Sequence, residues 1–293
     1  MVSISHQGFF GIMALLIILS SCSTSRQLSS NSNGEWQSLF NGKNLDHWTV
    51  KIHHYDVGDN HGETFRVRDS VIQVRYDQYE GPFNDRFGHL YYDTPYSYYH
   101  LVVEYRFVGE LHPGAPSYTL KNSGVMFHSQ DPRTMLKEQD WPISVEMQFL
   151  AGIEPGKSRP TGNMCSPGTN VEFEGKVDPR HCINSTSDTY YGDQWVRAEA
   201  VILGDSLITH IVNGDTVLQY SHPTIGGGVV KRYDPKIKID RQALKTGFIA
   251  LQSEGQPIDF RKVELLNLEG CMDENAKNYR PHYIKSNPSS CEY

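Results

Sequence analysis

One short segment carries two polar side chains that a reaction could use. In Ile143-Ser144-Val145-Glu146-Met147-Gln148-Phe149-Leu150 apolar and polar residues alternate, a period of two that predicts a half-buried strand. Glu146 and Gln148 then share one face with Ser144, while Val145, Met147 and Phe149 share the other. A carboxylate on such a face can act as a general acid or base; an amide can only donate and accept hydrogen bonds. Hydrolysis of an ordinary glycosidic bond uses two carboxylates across that bond. The alternating partner of Glu146 cannot ionise, which argues against that reaction. The same sorting puts Asn122, Met126 and His128 on one face of a second strand, and Glu104 with Arg106 on one face of a third. Glu104, Glu146 and His128 offer nitrogen and oxygen donors suited to a divalent cation, although no pair has a diagnostic spacing.

The elements that must position these residues read as strands. Thr64–Arg68 and Val71–Tyr76 alternate around Asp69-Ser70, a hairpin signal. Tyr99–Val108, Asn122–His128, Trp195–Leu203 and Ser206–Val212 follow, then Asn213-Gly214 as a tight turn into Thr216–Tyr220. Phe248–Gln252 and Phe260–Leu266 close the series, and helical periodicity is scarce. Many strands with regular turns predict an all-β sandwich or jelly roll. The loop His53-His54-Tyr55-Asp56-Val57-Gly58-Asp59-Asn60-His61 is rich in metal-capable groups and reads as a solvated loop over a cleft mouth. The formal net charge is −7 with no basic stripe, which excludes nucleic acid as the expected partner. The 17 tyrosines and 13 histidines suit a sugar site but equally the faces of any β-sandwich, so composition does not decide the ligand.

The ends imply export. An apolar run from Phe9 to Leu19 exits into Ser20-Ser21-Cys22, too short for a comfortable permanent span and shaped like a signal peptide over residues 1–21. Leu19-Ser20-Ser21-Cys22 resembles a lipobox, which implies a lipidated Cys22 and a membrane contact through acyl chains alone. Residues 22–34 are polar and suit a tether, and the expected location is the cell envelope, facing the periplasm. Four further cysteines, Cys165, Cys182, Cys271 and Cys291, form an even set in an oxidising compartment. Cys165 with Cys182 and Cys271 with Cys291 is the simplest of three connectivities. The tail from residue 269 to 293, with Cys271-Met272-Asp273 and Asn278-Tyr279-Arg280-Pro281, resembles a short Cys-bounded repeat of exported bacterial proteins. So short a unit needs its disulfide, because it cannot bury a core of its own.

Several segments together resemble the 3-keto-disaccharide hydrolase family, which includes 3-keto-glucoside 1,2-lyase and 3-keto-2-hydroxy-glucal hydratase domains. They are Trp36-Gln37-Ser38-Leu39-Phe40-Asn41-Gly42 with Trp48, Asn122-Ser123-Gly124, Val145-Glu146-Met147-Gln148, Thr161-Gly162, His210 with Asn213-Gly214, Gly247–Gln252 and Phe260-Arg261-Lys262-Val263. The resemblance implies a concanavalin-like jelly roll over residues 35–268 with a glycoside or oligosaccharide bound on a concave sheet. His128 stands where the family often has an arginine. A carbonyl at C3 of the sugar acidifies the C2 proton, so one base can start a β-elimination that expels the C1 substituent. Glu146 or His128 is then the base, and Arg106 or a divalent metal ion the enolate stabiliser. Glu254 is a second possible acid. Glu104, Arg106, Asn122, Gln148, Gln252 and Arg261 are the expected substrate contacts. The alternative is a non-catalytic carbohydrate-binding lipoprotein using the same face.

Overall fold

The computed structural model describes residues 35–293 and Met1, so the expected signal segment and Cys22 lie outside the described residues. The alternating segments form two antiparallel sheets. β2 (Trp48–Ile52), β5 (Gly88–Tyr92), β7 (Asn122–Ser129), β8 (Val145–Leu150), β9 (Asn163–Cys165), β12 (Cys182–Ile183) and β16 (Phe248–Ser253) make the front sheet, in the order β12-β9-β8-β7-β16-β5-β2. The back sheet is built from β1 (Trp36–Ser38), β3 (Phe65–Arg68), β4 (Val71–Val74), β6 (Tyr98–Phe107), β10 (Thr169–Phe173), β11 (Lys176–Val177), β13 (Val196–Leu203), β14 (Ile208–Val212), β15 (Asp215–Ile225) and β17 (Ile258–Asn267). Its order is β11-β10-β15-β14-β13-β6-β17-β4-β3, with β1 also on β17.

The two inner faces supply the core. Val145, Met147 and Phe149 of β8 and Val125 and Phe127 of β7 meet Leu101, Val103 and Tyr105 of β6 and Ala198, Ala200 and Ile202 of β13. Tyr105 stacks on Phe149 at 4.2 Å between ring centroids, fixing the spacing of the sheets at that point. Each of the larger aliphatic and Phe side chains contributes about 1.5–3 kcal/mol when fully buried, and a one-residue slip of β8 would move its whole apolar set out of this layer. The hairpin turns behave as their residues require. Asp69 and Ser70 have φ of 54° and 58°, and Asn213 and Gly214 have 49° and 97°, the positive pair that matches the twist of the flanking strands. The fold is thus the all-β jelly-roll sandwich that the strand pattern implied.

The cysteines pair as Cys165–Cys182 and Cys271–Cys291. The tail holds two short strands, β18 (Glu269–Gly270) and β19 (Lys285–Ser286), which pair in parallel. It docks on the sandwich where the Leu268 amide donates to the Tyr98 carbonyl at 2.8 Å. Among the described residues no helix is long and apolar enough to cross a membrane.

Candidate functional site

With Val145, Met147 and Phe149 in the core, pleating turns Glu146, Gln148 and Leu150 of β8 to the outer face of the front sheet. Register then assembles two rows. Glu146 sits between Cys165 of β9 and Met126 of β7, and Gln148 between Asn163 and Gly124. Leu251 pairs with Val125, so Gln252 falls beside Gly124, and across β5 Gln252 faces His89, which in turn faces Lys51 of β2. Any side chain at 124 would displace Glu146, because a Cβ there would stand 2.5 Å from its Oε1. The Glu146 carboxyl lies over that bare backbone, aimed along the sheet towards the β16 residues.

A cleft of about 350 Å³ opens above these rows. Its lining includes Glu146, Gln148, Asn122, Gln252 and Glu254, which follows the end of β16, with Tyr118 and Trp141 as aromatic walls. The Cys165–Cys182 disulfide, His181 and Arg159 also line it. The Arg159 guanidinium donates to the carbonyls of Lys121, Ala151 and Leu120 at 3.0, 2.6 and 2.8 Å, which holds a positive charge at the cleft without a carboxylate beside it.

Both carboxyls are almost fully buried, Glu146 at 7% exposure and Glu254 at 4%. Burial raises the pKa of Glu146, and a hydrogen bond from Gln252 opposes that rise. Burial raises Glu254 well above the ordinary carboxylate range, and the charge of Glu146 adds to the shift. Near neutral pH both carboxyls therefore favour the protonated form, Glu146 being raised to about 8 and Glu254, which lacks the Gln252 contact, being the harder of the two to ionise. The polar groups around them are short of partners: Oδ1 of Asn122, Oε1 of Gln252 and Oε2 of Glu254 are buried with none within the protein. Gln148 is half-satisfied, its oxygen accepting from Asn163 at 3.0 Å, which leaves its NH2 group for the cleft. Unpartnered buried groups of this kind cost free energy unless a ligand or water meets them, and acceptors in this number suit a ligand dense in hydroxyls.

The structure thus brings together Glu146, Gln148, Asn122, Gln252 and Glu254, and separates the other expected site residues from them. Glu104, Arg106 and Arg261 lie on the outer face of the back sheet. Their alternation is real, but it faces away from the cleft. There Arg261 donates to Glu104 at 2.6 Å, Arg106 to Asp259 at 3.0 Å, and both guanidinium groups lie over Trp195. His128 also leaves the site. It has φ of 47° at a register shift between β7 and β16, which breaks the alternation, and its Nε2 bonds the Gly204 carbonyl at 3.0 Å. The cation set Glu104, Glu146 and His128 therefore does not converge.

Sequence reasoning did not find Tyr118, Trp141, Arg159 or His181. These come from loops and short segments whose placement no periodicity encodes. The His53–His61 loop is not simply solvated either. His53 is buried, and with His54 it lines a second cavity of about 510 Å³ that shares Tyr118, Trp141 and Val229 with the first.

Residues 35–266 match the model of the 3-keto-alpha-glucoside-1,2-lyase-like domain family, and the chain belongs to that family. Two crystal structures of candidate glycosyl hydrolases from Parabacteroides distasonis are similar to it. One is 18% identical with a TM-score of 0.47, covering 80% of this chain and 99% of that one. The other is 15% identical with a TM-score of 0.48, covering 80% and 94%. A carbohydrate-binding module from Bacillus subtilis is 10% identical with a TM-score of 0.41, covering 74% and 94%. No curated protein matches the chain significantly.

Proposed function

We propose that this member of the 3-keto-alpha-glucoside-1,2-lyase-like family cleaves 3-keto-glycosides by β-elimination, with Glu146 as base and Glu254 as acid. The observation that carries the reading is the pair of buried carboxyls on one cleft, both raised by burial and flanked by unpartnered hydrogen-bonding groups. Ionised Glu146, favoured by the Gln252 contact, takes the C2 proton of the sugar. The C–H electron pair forms the enolate of the C3 ketone, and the Gln148 NH2 group is the donor for its oxygen. The enolate collapses to a C1–C2 double bond as the C1–O bond breaks, and neutral Glu254 protonates the departing oxygen. Glu146 ends protonated and Glu254 ionised, so one proton must pass between them through solvent before the next turnover.

A two-carboxyl cleft also supports a second reading, direct hydrolysis of an unoxidised glycoside. One experiment separates the two. The purified domain is incubated in D2O with a 3-keto-glucoside and with the parent glucoside, and aglycone release is followed with deuterium at C2 of recovered substrate. Elimination requires release from the keto sugar alone. Release from both sugars at similar rates supports hydrolysis, and tight binding without turnover of either supports a carbohydrate-binding protein.

We further propose that the protein acts from the cell envelope, anchored through acyl chains on Cys22 and facing the periplasm. The expected result is recovery of the wild type with membranes and of a Cys22→Ala variant in the soluble fraction. Equal partitioning of the two would remove the anchor from this reading.

A further inference from the structure

The second cavity carries a cluster that the proposed reaction does not use. His53, His54 and Glu138 each offer one donor atom, and the three donors lie within 4.8 Å of one another. In a strand, neighbours point to opposite faces. His53 and His54 instead stack, their rings 3.7 Å apart, because His54 takes a left-handed φ of 75° just past the end of β2. A non-glycine residue in that region is uncommon and worth a functional reading.

Backbone bonds stitch the cluster together. The His53 amide donates to Phe87 at 2.8 Å and the His54 amide to Lys137 at 3.1 Å, which brings Glu138, the next residue, to the imidazoles. His54 Nδ1 bonds Glu138 Oε2 at 2.7 Å. His53 Nδ1 bonds the Asp85 carbonyl at 2.8 Å. A carbonyl can only accept, so Nδ1 carries the hydrogen and Nε2 carries a free lone pair. That Nε2 is buried and has no partner, in a side chain only 7% exposed that lines the cavity. An imidazole whose tautomer is set by a carbonyl on one nitrogen, with the other left bare, is the arrangement metal-ligating histidines adopt. Asp85 and Asp140 line the same lobe, against Lys231 and Arg232, so with Glu138 carboxylates outnumber cations there. Arg232 stands 3.5 Å from Glu138.

We infer that His53, His54 and Glu138 form a binding site for one first-row divalent cation of the zinc type, in the lobe beside the carboxylate cleft. Two imidazoles and one carboxylate are a borderline donor set, which favours zinc, cobalt or manganese over calcium. Three protein ligands would leave the cavity side of the ion open to a fourth. A tetrahedral ion with bonds of about 2.0–2.2 Å needs the His54 and Glu138 donors further apart than the 2.7 Å at which they now bond each other; both side chains are exposed enough to turn around an ion while His53 stays fixed. The site does not depend on the proposed elimination.

The test reads binding, not turnover. Tag-free protein is stripped with chelator and titrated with zinc by calorimetry and with cobalt by visible absorption. One ion per chain is expected, with a cobalt ligand-field band. His54→Ala and Glu138→Gln, both at exposed positions, should each weaken zinc binding by more than the roughly 10-fold that loss of an outer-shell partner costs, with melting curves showing both variants folded. Absence of a stoichiometric ion in wild type, or unchanged affinity in both folded variants, overturns the assignment.

Discussion

The two outer faces of the sandwich carry similar residues and do opposite things with them. On the back sheet, Glu104, Arg106, Arg261, Asp259 and Glu199 form a mesh in which the charges find partners: Arg261 with Glu104, Arg106 and Arg75 with Asp259, Arg197 and His100 with Glu199. On the front sheet, Glu146 and Glu254 are buried together with no cation bonded to either, and the amides between them keep unpartnered oxygens. Alternation of polar and apolar residues is the same in both. The difference is satisfaction: paired charge is structure, whereas buried carboxyls without a cation are held by the rest of the fold and are available to a substrate.

The sharpest way to break the comparison is to remove a carboxylate from each face. Glu146→Gln should lower turnover of a 3-keto-glucoside by about 10²- to 10⁴-fold, the range for a general base, while Glu104→Gln leaves kcat/KM within about twofold; steady-state aglycone release measures both. A comparable loss in Glu104→Gln would erase the distinction.

Next in size is the disulfide beside the cleft. Cys165 and Cys182 close a loop of 17 residues, so replacing both with serine should cost about 3 kcal/mol in denaturant unfolding and raise KM by loosening the cleft wall. Replacing Cys271 and Cys291 should leave KM unchanged.

The pH dependence should have opposite signs on the two faces. The pKa of Glu254 is raised in the folded state, so the folded protein keeps a proton that the unfolded chain releases. That contribution to stability is present below the ordinary glutamate pKa of about 4.3 and is lost as pH rises. Glu254→Gln should therefore melt above wild type at pH 8, with the gap closing towards pH 4. Burial would raise Glu199 as well, but bonds from His100 and Arg197 outweigh it and bring that group down to about 2. Its stabilisation is present above the unfolded pKa and lost as pH falls towards 2. Glu199→Gln should cost about 1–2 kcal/mol at pH 7, and the deficit should shrink in acid. Thermal melts across pH 3–8 test both signs.

The smallest effect is expected at Arg261. It is half-exposed, and its pair with Glu104 sits at the surface, so Arg261→Gln should cost about 0.2–1 kcal/mol and leave activity unaltered.

Much of this was readable in the chain. Period-two alternation identified β7 and β8, sorted Glu146 and Gln148 from Val145 and Met147, and marked Asp69-Ser70 and Asn213-Gly214 as turns, because pleating and turn φ values are local properties of a few residues. The same alternation gave the wrong side for Glu104 and Arg106. Period two separates the faces of a strand but carries no sign, and which face meets the other sheet is settled only by packing. His128 failed for a related reason: a single positive φ at a register shift cancels the alternation beyond it. Arg159, Trp141 and Tyr118 had no local signal, since loops that fold over a sheet are placed by the contacts they make at their far ends.

The sequence by itself determined the all-β class, the strand faces up to that sign, the even set of cysteines and a carboxylate beside an amide on one strand. Tertiary structure alone decided that Glu146 meets a second buried carboxyl. Glu254 lies 108 positions along the chain and reaches the cleft only because β16 pairs with β7, and β7 with β8. The physical reason is range: backbone geometry acts over two or three residues, whereas the burial that raises both pKa values is a property of the closed sandwich.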